Sequence, residues 1–235
     1  MIRPMANDFA VEALGRCPLF SGLGPDFRSA IAGTLRTRRF RKSEVIFHQG
    51  DPGDSLFIVV SGAVKVMLPS EEGGEAILAT LRRGDFLGEL ALLDGASRSA
   101  SAIALEPTEM LVLPRDRFSA LVAEEPGIRD ALLSSLAAEL RRLTTHVAEL
   151  HFLDMTGRLA SGLARLAAEH GVRDEDGSIR LDPLLTQSDL GAMIGATRQS
   201  VNKLLGEFED EGLLRLDHDA LVIPDLEALE RAGHR

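Results

Sequence analysis

The sequence predicts an α+β chain in three parts: an N-terminal β-roll, a long helix, and a C-terminal winged helix-turn-helix. Three observations predict this. From about 38 to 115, short apolar runs alternate with turn signals. From Pro126 the apolar spacing becomes helical, and after Leu185 two short helical segments flank a glycine-centred turn. The expected boundaries are 1–125, 126–154 and 155–235.

With 235 residues, 45% hydrophobic and 26% charged, the chain is long and apolar enough for one large domain or two smaller ones with real cores. PDFRSAIAGTL reads as a short helix entered at Gly24-Pro25. The runs RRFRKSEVIF, SLFIVVSGAVKVML, EAILATLRRGDF, SASAIALE and EMLVLP read as strands. QGDPGD, SEEGG, RRGD, LDGAS and EPTE punctuate them at the spacing of a β-sandwich or roll.

Leu133, Leu136, Leu140, Leu143, Val147 and Leu150 step by 3, 4, 3, 4 and 3. That is a heptad seam, expected to pack against a partner helix in a homodimer. Asp154 can cap a following helix, MTGRLASGLARLAAEH, which ends at Gly171. RDEDGSIRLDP reads as a polar connection. Thr186 and Asp189 then form a capping-box pattern with Asp in place of the usual Glu or Gln. A helix of about eight residues ends at Gly195, and a second follows Thr197 with Val201, Leu204, Leu205 and Phe208 facing inward. Gly212 stops it, and LLRLDHDALVI reads as a hairpin wing.

Composition excludes several classes. One cysteine, Cys17, rules out an internal disulfide or a multi-thiolate metal centre, and it reads as a small apolar residue. The six histidines (His48, His146, His151, His170, His218, His234) offer no HxH pair, which counts against a metal-binding cupin enzyme. No metal and no catalysis are expected. No apolar run approaches roughly 18 residues and MIRPMANDFAVEALGR lacks a leader pattern, so a cytoplasmic protein is expected. The net charge is −10, and from Met155 onward nine Lys/Arg face fifteen Asp/Glu. Any nucleic-acid contact therefore needs a local basic patch on an acidic body.

The pieces HQGDPGDSLFIVVSGAVKV, GDFLGELALLDGASRSA, FLDMTGRLA and LTQSDLGAMIGATRQSVNKLL, in this order, resemble the cyclic-AMP receptor protein/FNR family of bacterial transcription regulators. The resemblance covers roughly 15 to 225. It implies that GELALLDGASRSA is a phosphate-binding cassette containing Gly88, Glu89, Leu90, Arg98, Ser99 and Ala100. Arg98 would meet the cyclic phosphate, Ser99 and backbone N–H groups its oxygens, and Glu89 the ribose 2′-hydroxyl. The chemistry suits those roles: a guanidinium forks onto two phosphate oxygens, and a carboxylate accepts from a hydroxyl. A surface Glu89–Arg98 ion pair of little worth is the competing reading.

Where relatives set a Thr-Ser pair against adenine, this chain has Leu143 and Thr144. Leu143 cannot hydrogen-bond, so Thr144 and Thr145 are the candidates. Cyclic AMP is the expected allosteric ligand, with cyclic GMP or a cyclic dinucleotide left open. The oxygen-sensing cysteine cluster is missing. A regulator needing no effector is the alternative within the family.

The resemblance further implies that Arg198, Gln199 and Lys203 read bases of a palindromic double-stranded operator. Thr186, Thr197 and Ser200 complete the DNA-binding set, with Arg215 and His218 on the wing as phosphate contacts. Gln199 departs from the Glu that many relatives carry. RNA polymerase is the further partner implied.

Overall fold

The computed structural model describes residues 6–71, 73–181, 185–217 and 220–233, so His218 and His234 lie outside it. The chain divides into two compact units, 1–73 with 77–139 and 74–76 with 140–235. The division falls inside one long helix.

The first unit opens with α1 (Ala6–Arg16) and α2 (Pro25–Ala32), then β1 (Arg36–Phe40), β2 (Val45–Phe47), β3 (Ser55–Ser61), β4 (Val64–Pro69), β5 (Glu75–Leu81) and β6 (Phe86–Leu87). α3 (Glu89–Asp94), β7 (Ser101–Ala104), β8 (Thr108–Pro114), α4 (Arg115–Glu124) and the start of α5 (Pro126–Phe152) follow. The strands form two four-stranded sheets, ordered β1-β8-β3-β6 and β2-β7-β4-β5. β3 explains the layering. Its run LFIVV is buried on both faces, as a strand between two apolar layers must be. Phe57 and Val59 join Val64, Ala102, Ala104 and Met110 between the sheets. Leu56, Ile58 and Val60 face outward onto Leu14, Phe118, Ile128 and Leu132 of the helices and Phe20 of the α1–α2 turn.

The expected strands and α2 are present; α1, α3 and α4 are not among the elements expected. Ala10, Ala13, Leu14 and Cys17 do follow an i, i+3, i+4, i+7 stripe and are buried. Small residues give that stripe little contrast in the sequence. α4 shows mainly through Phe118, Leu121 and Val122, too few turns to register a period. Cys17 is fully buried, and burial pushes its thiol up to about 12.

α5 has 27 residues, about 40 Å at the usual rise. Ile128 and Leu132 seal the roll, and Leu136 packs on the same cluster. Leu136 is four residues from Leu132 and three from Leu133, so it borders both faces. Leu133, Leu140 and Val147 of the heptad stripe are 60%, 66% and 55% exposed. Leu150 is also exposed, and Leu143 is half-buried.

In the second unit, the end of α5 precedes α6 (Met155–His170), β9 (Val172–Arg173), β10 (Ile179–Leu181), α7 (Gln187–Ile194), α8 (Arg198–Asp210), β11 (Arg215–Asp217), β12 (Ala220–Ile223) and α9 (Leu226–Ala232). Asp154 caps α6, accepting from the N–H of Gly157 at 2.8 Å. The polar connection is not a plain loop. It folds as a β9–β10 hairpin, extending the wing into a sheet ordered β11-β12-β10-β9. Asp176 makes the turn by accepting from the N–H and hydroxyl of Ser178, while Ile179 and Leu181 point inward. α9, also unforeseen, starts at the cap Asp225.

A polar cluster fastens the end of α5 to α6. Glu149 accepts from Ser161 Oγ at 2.8 Å and pairs with Arg165 Nη1 at 3.1 Å, with His146 Nδ1 3.4 Å away. Arg158 donates back to the carbonyl of Leu150, in the last turn of α5, and to that of Leu153, just beyond it.

Candidate anion pocket and nucleic-acid interface

The first site is built around Arg98, which is 4% exposed. An arginine is seldom buried without partners. Nη1 donates to the carbonyl of Gly88 and Nη2 to that of Ser55, both at 2.8 Å. Asp54 Oδ1 is 3.9 Å from Nη2. The guanidinium carbon lies 4.4 Å from the ring centroid of Phe47 and 5.6 Å from that of Phe57. Nε is buried and has no partner. Carbonyls and rings thus hold the cation while donor capacity remains unused.

Gly88 and Glu89 stand next to this guanidinium. Gly88 has φ +92° and caps α3, and a Cβ there would overlap Arg98 Nη1. Only glycine allows this approach. Glu89 opens α3 and is half-buried. Burial raises its carboxyl above the usual range, and Glu139 adds to this. The backbone N–H groups of Glu89 and Gly88 and the charge of Arg98 oppose the rise. For Arg98, burial lowers the pKa, and Asp54 then Glu89 oppose that. The competing surface ion pair is not what forms, because Arg98 is buried and its Nη groups bond carbonyls. Ser99 is exposed beside it, Ala100 is buried, and Leu90 is exposed. Of the residues named from the sequence, Gly88 and Glu89 thus stand beside Arg98, and Ser99 and Ala100 follow it in the chain.

Sequence reasoning did not name Asp54, Ser55, Phe47, Phe57 or Arg115. HQGDPGDSLF holds Asp54, Ser55 and Phe57, but no local pattern says which carbonyls an arginine will reach. Thr144 and Thr145 belong to the second unit. Thr144 donates to the carbonyl of Leu140 at 2.9 Å. Thr145 lines a groove of about 590 Å³ with Glu149, Ser161, Arg165, Glu230 and Arg231. Among the described residues no group of three or more His, Cys, Asp or Glu could hold a metal ion.

The second site is the α7–α8 pair. Thr186 Oγ1 accepts from the N–H of Asp189 at 3.1 Å, and Asp189 Oδ2 accepts from the N–H of Thr186 at 2.9 Å. Asp thus closes the reciprocal box in place of Glu. Gly191 lets the helices meet, since a Cβ there would lie 2.6 Å from the carbonyl oxygen of Ala196. Thr197 caps α8, accepting from the N–H of Ser200 at 3.1 Å.

Val201, Leu204, Leu205 and Phe208 are buried, which turns Arg198, Gln199, Asn202 and Lys203 to solvent. Lys203 Nζ pairs with Glu207 at 3.3 Å. Asn202, unnamed from the sequence, accepts from Gln187 Nε2 at 3.0 Å. Glu209, Asp210 and Glu211 lie at the far end of the helix, away from Arg198 at its start. Arg215 is exposed on β11.

A roll that buries an arginine, followed by a winged helix-turn-helix, is the architecture of a ligand-binding DNA regulator. The family description "cyclic nucleotide-binding domain" matches residues 37–125, and "Crp-like helix-turn-helix domain" matches 157–232. The chain is 34% identical over 220 residues to a CRP-like cAMP-activated global transcriptional regulator of Mycobacterium tuberculosis, covering 94% of this chain and 98% of that one. It is 33% identical to the cyclic AMP receptor protein of Thermus thermophilus, over 91% of this chain and 95% of that one. Among solved structures, a CRP/FNR-family transcriptional regulator from Thermus thermophilus matches with TM-score 0.69 at 27% identity, covering 85% and 99% of the two chains.

The chain belongs to the CRP/FNR family. It is a CRP-like, cyclic-nucleotide-binding transcription regulator. The family comprises DNA-binding regulators rather than enzymes. No described helix is long and apolar enough to cross a membrane.

Proposed function

We propose that this chain is a homodimeric, cytoplasmic regulator gated by cyclic AMP bound at Arg98. In this reading the ligand favours one arrangement of the two DNA-binding units over another, which is the only way binding can bias an equilibrium. The dimer forms along the exposed Leu133, Leu140, Val147 and Leu150 stripe. Thr197 and Ser200 steady the start of α8, from which Arg198, Gln199 and Lys203 read the half-sites of a palindromic operator. Arg215 meets phosphate, and RNA polymerase is the further partner.

The observation that carries the reading is the buried guanidinium of Arg98 with its unpartnered Nε. A buried cation with an unused donor is costly by itself, and a monoanionic cyclic phosphodiester relieves it. The names of the Mycobacterium and Thermus relatives point to cyclic AMP as the nucleotide.

The test is calorimetric titration of cyclic AMP and cyclic GMP into the purified protein and its Arg98→Leu variant. Wild type is expected to bind cyclic AMP, and the variant to lose at least about tenfold in affinity, since hydrogen bonds to charged groups are worth ~1.5–3 kcal/mol each. Equal binding by both proteins would overturn the site, and tighter binding of cyclic GMP would overturn the choice of base.

A further inference from the structure

We propose that Arg115, at the start of α4, is a positioning residue that holds α3 against the 53–55 turn and so sets Arg98 for its ligand; this rests on the cyclic-nucleotide reading above. Its backbone N–H donates to the carbonyl of Asp54 at 2.8 Å. Its Nε donates to the carbonyl of Gly53 at 3.1 Å, and Nη2 donates to the same oxygen. Nη2 also donates to the carbonyl of Ala91 at 2.9 Å, and Nη1 reaches that of Leu92 at 3.5 Å. One side chain therefore joins α4, the turn before β3 and the cassette helix.

The junction it closes is tightly packed. A Cβ on Gly53 would overlap the Cβ of Ala91 and lie 3.6 Å from Arg98 Cζ. Ala91 and Leu92 lie in a helix of only six residues, Glu89–Asp94. So short a helix leaves most of its carbonyls without intrahelical partners, and a cation near its carbonyl end suits its dipole. Arg115 supplies both the donors and the charge.

The next residue along the turn, Ser55, gives its carbonyl to Arg98 Nη2, and Gly88, just before α3, gives its own to Nη1. Each of Arg98's two carbonyl partners thus adjoins a segment that Arg115 holds. The charge of Arg115 also acts on Arg98 against Asp54 and Glu89. Two guanidinium groups serving one turn raise the local positive potential, which favours an anion at Arg98.

The test combines binding with hydrogen exchange on the full chain. Cyclic AMP is titrated into wild type, Arg115→Lys, Arg115→Met and Arg98→Lys, and into Arg115→Met combined with Arg98→Lys. Arg115→Met is expected to weaken binding at least about tenfold, and Arg115→Lys, which keeps the charge and some donors, to recover part of this. Against Arg98→Lys, which lacks the fork, the added loss should fall below about threefold, because residues acting through each other are not additive. Full additivity would overturn the proposal.

Amide exchange of the ligand-free proteins gives a second reading. Arg115→Met should speed exchange in 53–55 and 89–94 while leaving the β3–β8 pairing as protected as in wild type. Unchanged exchange there, or faster exchange throughout the roll, would overturn the proposal. Failure of wild type to bind cyclic AMP would instead count against the function proposed above, and the exchange pattern would still decide the role of Arg115.

Discussion

The carbonyl of Gly88 accepts from Nη1 of Arg98 at 2.8 Å, and the same glycine stands at φ +92° with no room for a Cβ beneath that guanidinium. Backbone conformation and side-chain placement are thus one constraint. Gly88→Ala is expected to impose left-handed strain of about 1–2 kcal/mol and to push Arg98 off its carbonyls. Thermal melting should fall, and cyclic AMP affinity should fall with it. A variant that melts lower yet binds as wild type would show that Arg98 does not need this geometry.

The exposed stripe on α5 makes a separate prediction. Leu140→Asp or Val147→Asp should give monomers in sedimentation. In a two-fold interface each substitution buries two unpaired carboxylates at several kcal/mol each. An intact dimer in both variants would mean that the stripe is not the interface.

Gln199 should alter base choice. Glu only accepts, which suits the amino group of cytosine, whereas Gln can pair with adenine through both N6 and N7. Site selection from random DNA with wild type and Gln199→Glu is expected to differ at one step of each half-site, by about 1–3 kcal/mol. Half-sites should be spaced by about one helical turn or a multiple of it. Identical selections would remove Gln199 from the readers.

Glu149 predicts an acid response of the α5–α6 junction. Burial would raise its carboxyl, but the hydrogen bond from Ser161 and the charge and hydrogen bonds of Arg165 outweigh that and hold it below the usual range. A carboxyl depressed in the folded state stabilises it above the unfolded value of about 4.3 and loses that contribution as pH falls through the folded value. Glu149→Gln should therefore melt below wild type at neutral pH, with the gap narrowing below about pH 4. A gap independent of pH would mean that Glu149 acts through packing alone.

Local chemistry was strong enough for the sequence by itself to determine much of this protein. The β-to-helix change of period and the α7–α8 pair with its caps at Thr186 and Thr197 were legible because each depends on residues close in the chain, whereas the reading of Gly88 to Ala100 rested on the resemblance of its motif. The β9–β10 hairpin was not, since its polar letters hide the inward Ile179 and Leu181. Nor were α1 and α4, whose alanines and short length give a weak stripe.

Only the tertiary structure decided how the site is held. It brought Ser55 and Asp54 to Arg98, set Arg115 across Gly53 and Ala91, and turned Leu136 onto the roll while Leu140 and Val147 stayed exposed. A guanidinium bonds whichever carbonyls the packed backbone brings within about 3 Å. Those carbonyls belong to every residue alike, so no sequence pattern marks them. Packing alone chooses them.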